Sequence, residues 1–509
     1  MVDYKKIAWD AAFVYLFSYV IILISFAIRV LYARKLTVVD YGLFFGLFGF
    51  FIFFAVIRDF GFNSASLYYA KKYIVEKNFS KVKTLYIFNQ GFSLFMSFLI
   101  AGIIYLSKSF IIDTVYHHEG NIVFIFDFFL MYWIIEDFYK SNLIFFESFH
   151  EQRTSKFLEF LTRLFILLGS FIGFFLLDPY KVPPLAYLFS GVFISIISTI
   201  WFYYSHPEIF SAPFYRGMDL IVDLFHYGRL VILGGVSTVI LAGMDSFLIQ
   251  YFLGAEKVGY YVTGGSASDI VLLLVMPITV ITVPLFTQLW FEGKKSELSA
   301  VSSFLFNNIL LFVLPIASFF FTFSSQIIDF VYGANYGPSS IILKIFCISV
   351  LIRMYNNFLF QIILAMGKPG LSSKITLYAM IVNLVLAIIL INAIGIVGAA
   401  LAAFIGYGII FGLSLKEILK SFPIKFDFLN NAKILLSSLL FIVISFSLRS
   451  FTFFSFSNPY FHFLVNGGIV FGIGSFFYIV SLFLLRVITK DKIRFVVKMF
   501  NLSFMEKYL

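Results

Sequence analysis

The chain has 509 residues, 61% hydrophobic and 13% charged, with a formal net charge of +10. Soluble domains carry about 25% charged residues, so this composition leaves no plausible aqueous surface for a soluble enzyme or binding module. The apolar runs are continuous rather than alternating, which disfavours a membrane β-barrel. Cys347 is the single cysteine, which excludes an intrachain disulfide and a cysteine–zinc cluster.

About 20 apolar residues cross a bilayer as a helix. In chain order, fourteen segments meet that length approximately: 11–33, 42–58, 84–107, 122–146, 157–177, 184–204, 230–253, 260–286, 304–323, 340–366, 374–392, 396–415, 432–448 and 461–485. The first is too long for a signal-peptide core and reads as the first span. The expected fold is therefore an all-α polytopic membrane protein.

Lys and Arg alternate between the loops. The side of the N-terminus carries twenty-five of them, including Lys71, Lys72, Lys77, Lys81 and Lys83 and the tail residues Arg486, Lys490, Lys492, Arg494, Lys498 and Lys507. The opposite side has Arg34, Lys35, Lys108, Lys181, Lys257 and Arg449. The positive-inside rule then puts both termini in the cytoplasm of a multi-pass cell-membrane protein. The positive net charge follows from topology and does not point to nucleic acid.

A faint repeat runs through the chain. Leu36-Thr-Val-Val-Asp-Tyr-Gly42 follows the first span, and Leu253-Gly-Ala-Glu-Lys-Val-Gly259 follows the seventh at an offset of 217. Ser155-Lys156 and Ser373-Lys374 repeat at 218. An even number of spans separates each pair, so two six-helix lobes would be related by a pseudo-two-fold along the membrane normal, facing a central cavity. Residues 1–205 form the first lobe, 206–229 the linker and 230–420 the second lobe. Residues 421–509 hold two further helices and a basic tail.

Charge inside a span is costly and marks candidate sites. Arg29 lies in span one, and its repeat position, Ser246, adjoins Asp245 in span seven. Arg29 is a candidate substrate-binding cation with Asp245 as gating or coupling carboxylate; a buried ion pair fixing lobe packing is the alternative. Arg353, Asn356 and Asn357 share one face of span ten and suit phosphate and sugar hydroxyls, or serve as interhelical polar contacts. In span four Glu136 and Lys140 stand at i,i+4 and Asp137 and Lys140 at i,i+3, a spacing for local salt bridges. Lys140 is a substrate-binding candidate, and Asp137 and Asp269 are coupling candidates. Glu159 and Arg163 form another i,i+4 pair, read as structural. Pro277, Pro284 and Pro315 interrupt helices eight and nine. His117-His118-Glu119 reads as a solvated loop. No phosphate-binding loop, zinc-protease or serine-hydrolase motif occurs, so neither a cofactor nor a metal is expected.

Phe26-Ala-Ile-Arg29 through Gly42 resembles the first-span signature of polysaccharide flippases, the O-antigen and lipid-linked oligosaccharide translocases. Asp245-Ser-Phe-Leu-Ile-Gln-Tyr-Phe-Leu-Gly254 with Val258-Gly-Tyr-Tyr261, then Val331-Tyr-Gly-Ala-Asn-Tyr336 and Gly395-Ile-Val-Gly-Ala-Ala400, are similar to later signatures. The superfamily includes lipid II flippases and multidrug-and-toxin extruders. The resemblance implies twelve core helices, two extra C-terminal helices and a cation-lined cavity. It also implies that a polyprenyl-diphosphate-linked oligosaccharide moves to the outer leaflet by alternating access, with Arg29 in the cavity. The implied partners are that substrate, membrane lipid and a coupling H+ or Na+, for a monomer. The chain departs from cation-coupled extruders, because Asp10 stands only at the entrance of span one. A multidrug extruder and a membrane glycosyltransferase or polymerase are the alternatives. A reporter fused after Leu509 should be active only on the cytoplasmic side, and activity outside the cell would overturn the topology.

Overall fold

The computed structural model describes residues 4–489, and the cations Lys490, Lys492, Arg494, Lys498 and Lys507 lie outside the described residues. The described residues form helices and connecting turns, with no strand among them. A bilayer offers no water to backbone N–H and C=O groups, so an apolar chain satisfies them within helices. All fourteen apolar segments coincide with helices. We number these α1 (Tyr4–Lys35), α2 (Val38–Asp59), α3 (Phe79–Leu106), α4 (Ile122–Ser148), α5 (Gln152–Leu176), α6 (Val182–Ser205) and α7 (Asp219–Leu253). They continue as α8 (Ala255–Phe291), α9 (Lys295–Thr322), α10 (Ser339–Ala365), α11 (Pro369–Ile394), α12 (Ile396–Leu419), α13 (Phe428–Leu448) and α14 (Pro459–Leu484). Among the described residues, eleven of the helices are long and apolar enough to cross a membrane by length and composition. The chain is a multi-pass membrane protein.

Local chemistry sets several helix ends. The Asn78 side chain accepts from the Lys81 amide at the start of α3, and Asp427 accepts from the Asn430 amide at the start of α13. Each satisfies a donor that has no partner within the helix. In α9 the helix is interrupted at Ile309, between Asn308 and Leu310. Pro315 has no N–H to give the carbonyl four residues earlier. That carbonyl, on Leu311, instead accepts from the Tyr478 hydroxyl of α14 at 3.2 Å. The proline gap is thus a docking point for a C-terminal helix. Pro277 and Pro284 lie outside the residues whose side chains are described.

The chain divides into two compact units: Met1–Thr263 with Ser373–Gly406, and Gly264–Ser372 with Tyr407–Leu509. In the first, α1 packs on α5, α4 packs on α3 and α6, and α5 packs on α6. α2 packs on α7. In the second, α9 packs on α10 and α13, and α13 on α14, around Val313, Met354, Ile434, Phe441 and Tyr478.

Close approach of α2 requires glycine. A Cβ on Gly42 would lie 1.8 Å from the Ala255 carbonyl oxygen, and one on Gly259 would lie 2.8 Å from the Val38 carbonyl oxygen. These contacts are reciprocal. Val38 and Ala255, like Gly42 and Gly259, differ by the same 217 residues that relate the two turn motifs. Farther along, a Cβ on Gly49 would lie 2.8 Å from the Gly243 carbonyl oxygen, and one on Gly61 would lie 2.7 Å from that of Gly228. Gly42→Ala should therefore lower stability in detergent by about 1–3 kcal/mol, the usual cost of overpacking. Gly102→Ala, with nothing within 4 Å of its Cβ position, should be neutral or slightly stabilising. Thermal unfolding of the two variants checks this.

Candidate functional site

Helix geometry splits the charges of α4 between two environments. Glu136 and Lys140, one turn apart, pair at 2.7 Å. Tyr132 donates to the same Glu136 carboxylate at 3.0 Å. Asp137, rotated by about 100°, faces a different neighbour: Arg58 at the end of α2, at 3.2 Å. Asp137 thus takes Arg58 as its partner, while Lys140 takes Glu136.

The Arg58–Asp137 pair is deeply enclosed, with side chains 2% and 5% exposed. Arg58 lies 4.0 Å from the Trp133 ring centroid and donates to the Trp133 carbonyl. Ser93 donates to the second Asp137 oxygen. A polar ladder continues from there. The Asn89 side chain donates to Ser141 at 2.5 Å and accepts from Ser66 at 2.9 Å. Asn142 accepts from Tyr86 and Gln90 and donates to Ser198 and Thr199. This ladder ties α3, α4 and α6 together and has no counterpart in the sequence, where its uncharged Asn, Gln, Ser, Thr and Tyr members are scattered over separate segments.

Around Glu136 the balance of charge is positive. Arg163 of α5 lies within electrostatic reach of Glu136 and of Tyr132, Tyr139 and Tyr187. Spacing alone pairs Glu159 with Arg163, but the Glu159 carboxylate meets Lys156 at 2.7 Å. Arg29 of α1 reaches the same group from another side. Its guanidinium carbon is 5.8 Å from the Phe45 ring centroid. It is also within electrostatic reach of Tyr41 and Tyr187. Arg163 thus lies near Tyr132, Tyr187 and Glu136, Arg29 lies near Tyr41 and Tyr187, and Lys140 pairs with Glu136. The Tyr132, Tyr139 and Tyr187 side chains are buried, while the Lys140 side chain is about half exposed; beside buried groups of low dielectric an anion is attracted more strongly than in water.

Asp245 of α7 is buried, accepting from the Tyr261 hydroxyl of α8 at 2.7 Å. Its other oxygen is buried without a hydrogen-bond partner.

In the second unit, Arg353 and Asp269 form one ion pair at 3.0 Å, with side chains 25% and 50% exposed. The Arg353 guanidinium carbon is 5.5 Å from the Tyr407 ring. Asn356 donates to the Tyr407 carbonyl at 2.9 Å, and its own side-chain oxygen is buried without a partner. Asn357, on the same face, is half-buried. Among the described residues no group of His, Cys, Asp and Glu has the makings of a metal site.

The comparisons with known proteins agree with this architecture. The family profile described as "Polysaccharide biosynthesis protein" matches residues 8–290. An uncharacterized membrane protein of Methanocaldococcus jannaschii is 26% identical over 418 residues, covering 80% of this chain and 82% of the relative. The probable low-salt glycan biosynthesis flippase Agl15 of Haloferax volcanii is 26% identical over 209 residues, covering 40% and 44%. Among solved structures, the lipid II flippase MurJ in an inward closed conformation aligns with a TM-score of 0.66 at 16% identity, over 92% of this chain and 99% of MurJ. An inward-facing multidrug resistance MATE transporter aligns with a TM-score of 0.66 at 11% identity, over 79% and 95%. The fold is thus of the MurJ and MATE kind.

Removing Asp137 alone would strand a buried guanidinium. Asp137→Ala should cost about 3–5 kcal/mol, and Arg58→Met with Asp137→Leu should recover much of it, because paired apolar replacement removes both desolvation penalties. Denaturation of the single and double variants in detergent tests the pair.

Proposed function

Because the chain belongs to the polysaccharide biosynthesis protein family, whose profile matches more than half of it, we propose that it is a flippase for a polyprenyl-diphosphate-linked oligosaccharide. Transport from the cytoplasmic to the outer leaflet would proceed by alternating access, in a cell membrane with both termini in the cytoplasm. The carrying observation is the placement of Arg29 and Arg163 near Tyr187, and of Lys140 beside Glu136, within membrane helices. A diphosphate crossing a region of low dielectric needs fixed cations to replace its hydration. Arginine supplies them as planar paired donors. The tyrosines supply flat apolar faces and hydroxyls for sugar rings.

Arg29 and Lys140 in the first unit, and Arg353, Asn356 and Asn357 in the second, are the proposed substrate-binding residues. The buried Asn356 oxygen suits a sugar hydroxyl. Asp269 then acts as the resting partner of Arg353, displaced when the diphosphate arrives. Asp245 is the proposed coupling carboxylate for H+ or Na+, on the ground of its unpartnered oxygen. Asp137, held by Arg58 and Ser93, suits gating, through helix position, better than ion exchange. Residues 1–205 and 230–420 are the proposed lobes, supported by the reciprocal contact of the Val38–Gly42 and Ala255–Gly259 turns. The working unit is proposed to be a monomer. The relative named as a glycan flippase supports the substrate class. Arg29 and Arg163 beside Tyr187 suit an anionic substrate better than the cationic compounds of a multidrug extruder.

Arg29→Ala and Arg353→Ala should each reduce surface glycan by at least about tenfold at unchanged protein level, and Lys at either position should restore only part of it, keeping charge without the fork. Normal glycan display by both Ala variants would overturn the assignment. Resistance to cationic dyes on expression would favour the extruder.

A further inference from the structure

The loop between α3 and α4, read from sequence as a solvated cluster, is built into the fold at three points. A short helix, Lys108–Ile111, runs into a single π-helical turn, Ile112–Tyr116, and the chain then reverses through His117, His118 and Gly120, all at positive φ. Glu119 accepts from the Ala255 amide at 2.7 Å. It thereby caps the first turn of α8, where a carboxylate also meets the positive end of the helix dipole. Asn121 donates to Asp40 in the first turn of α2 at 3.2 Å, and Asp40 is itself held by Thr37 at 2.7 Å. The third point is His117, 3.5 Å from the Tyr251 carbonyl at the end of α7. The contacts reach both repeated turns, Leu36–Gly42 and Leu253–Gly259, where Gly42 and Gly259 let the backbones meet. Gly254 belongs to the same device. Its φ is +84°, and a Cβ there would lie 2.5 Å from a Glu119 carboxylate oxygen.

We propose that the His117–Asn121 loop is a strap that locks α2 against α7 and α8 at this end, and that breaking the Glu119–Ala255 contact opens the seam between the two repeated turns. This rests on the alternating-access reading, in which the seam parts on the side where substrate leaves. The glycines alone would leave two smooth backbones in van der Waals contact, which separate without losing a directed bond. Glu119 adds one charge-assisted hydrogen bond whose loss is all-or-none, so the device has two states. A side chain at Gly254 would crowd the carboxylate, which ties the glycine to the lock.

Val258 reports on the seam. It is fully buried, and a Cβ on Gly46 would lie 3.8 Å from it. The native Cys347 is buried in the second unit and serves as a fold control. The full-length Val258→Cys protein in cells is treated with a membrane-impermeant maleimide, and adducts at positions 258 and 347 are read by peptide mass spectrometry. Adding Glu119→Ala should speed labelling at 258 by about tenfold, the factor that ~1.4 kcal/mol gives, with Glu119→Gln intermediate and Cys347 unlabelled. Equal labelling in the parent and Glu119→Ala overturns the strap. If Cys347 is labelled in Glu119→Ala, that variant has unfolded and Glu119→Gln decides: unchanged labelling at 258 then overturns the proposal. Glycan display is measured in the same cells. Faster labelling with no effect of Arg29→Ala on display keeps the strap and removes the flippase reading; the reverse keeps the flippase and removes the strap.

Discussion

The close contact of α2 with α7 and α8 positions the rest of the first unit. Glycines at 42, 49 and 61 bring backbone against backbone from the first turn of α2 to just past its end. In lipid, helices gain little from hiding apolar side chains, because the solvent is equally apolar; close approach through small residues supplies the packing instead. With α2 held in this way, Arg58 at its end is placed beside Trp133 and Asp137, and Tyr41 and Phe45 at its start come near Arg29. One helix therefore sets the position of both the neutral ion pair and part of the cationic cluster.

Two kinds of intramembrane charge result, and they suit different tasks. Arg58 and Asp137 are matched, enclosed and further hydrogen-bonded, which favours a fixed structure. Arg29, Lys140 and Arg163 outnumber Glu136, and the tyrosines around them carry hydroxyls without charge. Neighbouring tyrosine faces and hydroxyls suit contact with a sugar and its phosphate better than a closed ion pair does. Arg353 combines the two properties: it is paired, but with a carboxylate half open to its surroundings.

The C-terminal helices illustrate how an apparent defect becomes an attachment. Pro315 removes one backbone hydrogen bond from α9, and the carbonyl it leaves receives Tyr478. Asn307, just before the break at Ile309, donates to the Lys425 carbonyl and accepts from the Asp427 amide. The chain entering α13 is thus fastened to the same region of α9 that α14 packs against.

The sequence by itself determined the membrane class, the helices and the helical pairing of Glu136 with Lys140, because hydrophobic length and i,i+4 spacing are local properties of one segment. It also marked the two turns at offset 217, since a repeat is visible wherever it is written. It did not reveal that those turns touch each other. Nor did it reveal that Asp137 belongs to Arg58, that Glu159 takes Lys156 and leaves Arg163 to the tyrosines, or that Glu119 caps α8. Each of these depends on which helices become neighbours and how each is rotated. Those choices are made by backbone approach at glycines and by mutual satisfaction of buried polar groups, summed over the whole bundle. Spacing fixes which face of a helix a charge occupies; only the tertiary structure decides what that face meets.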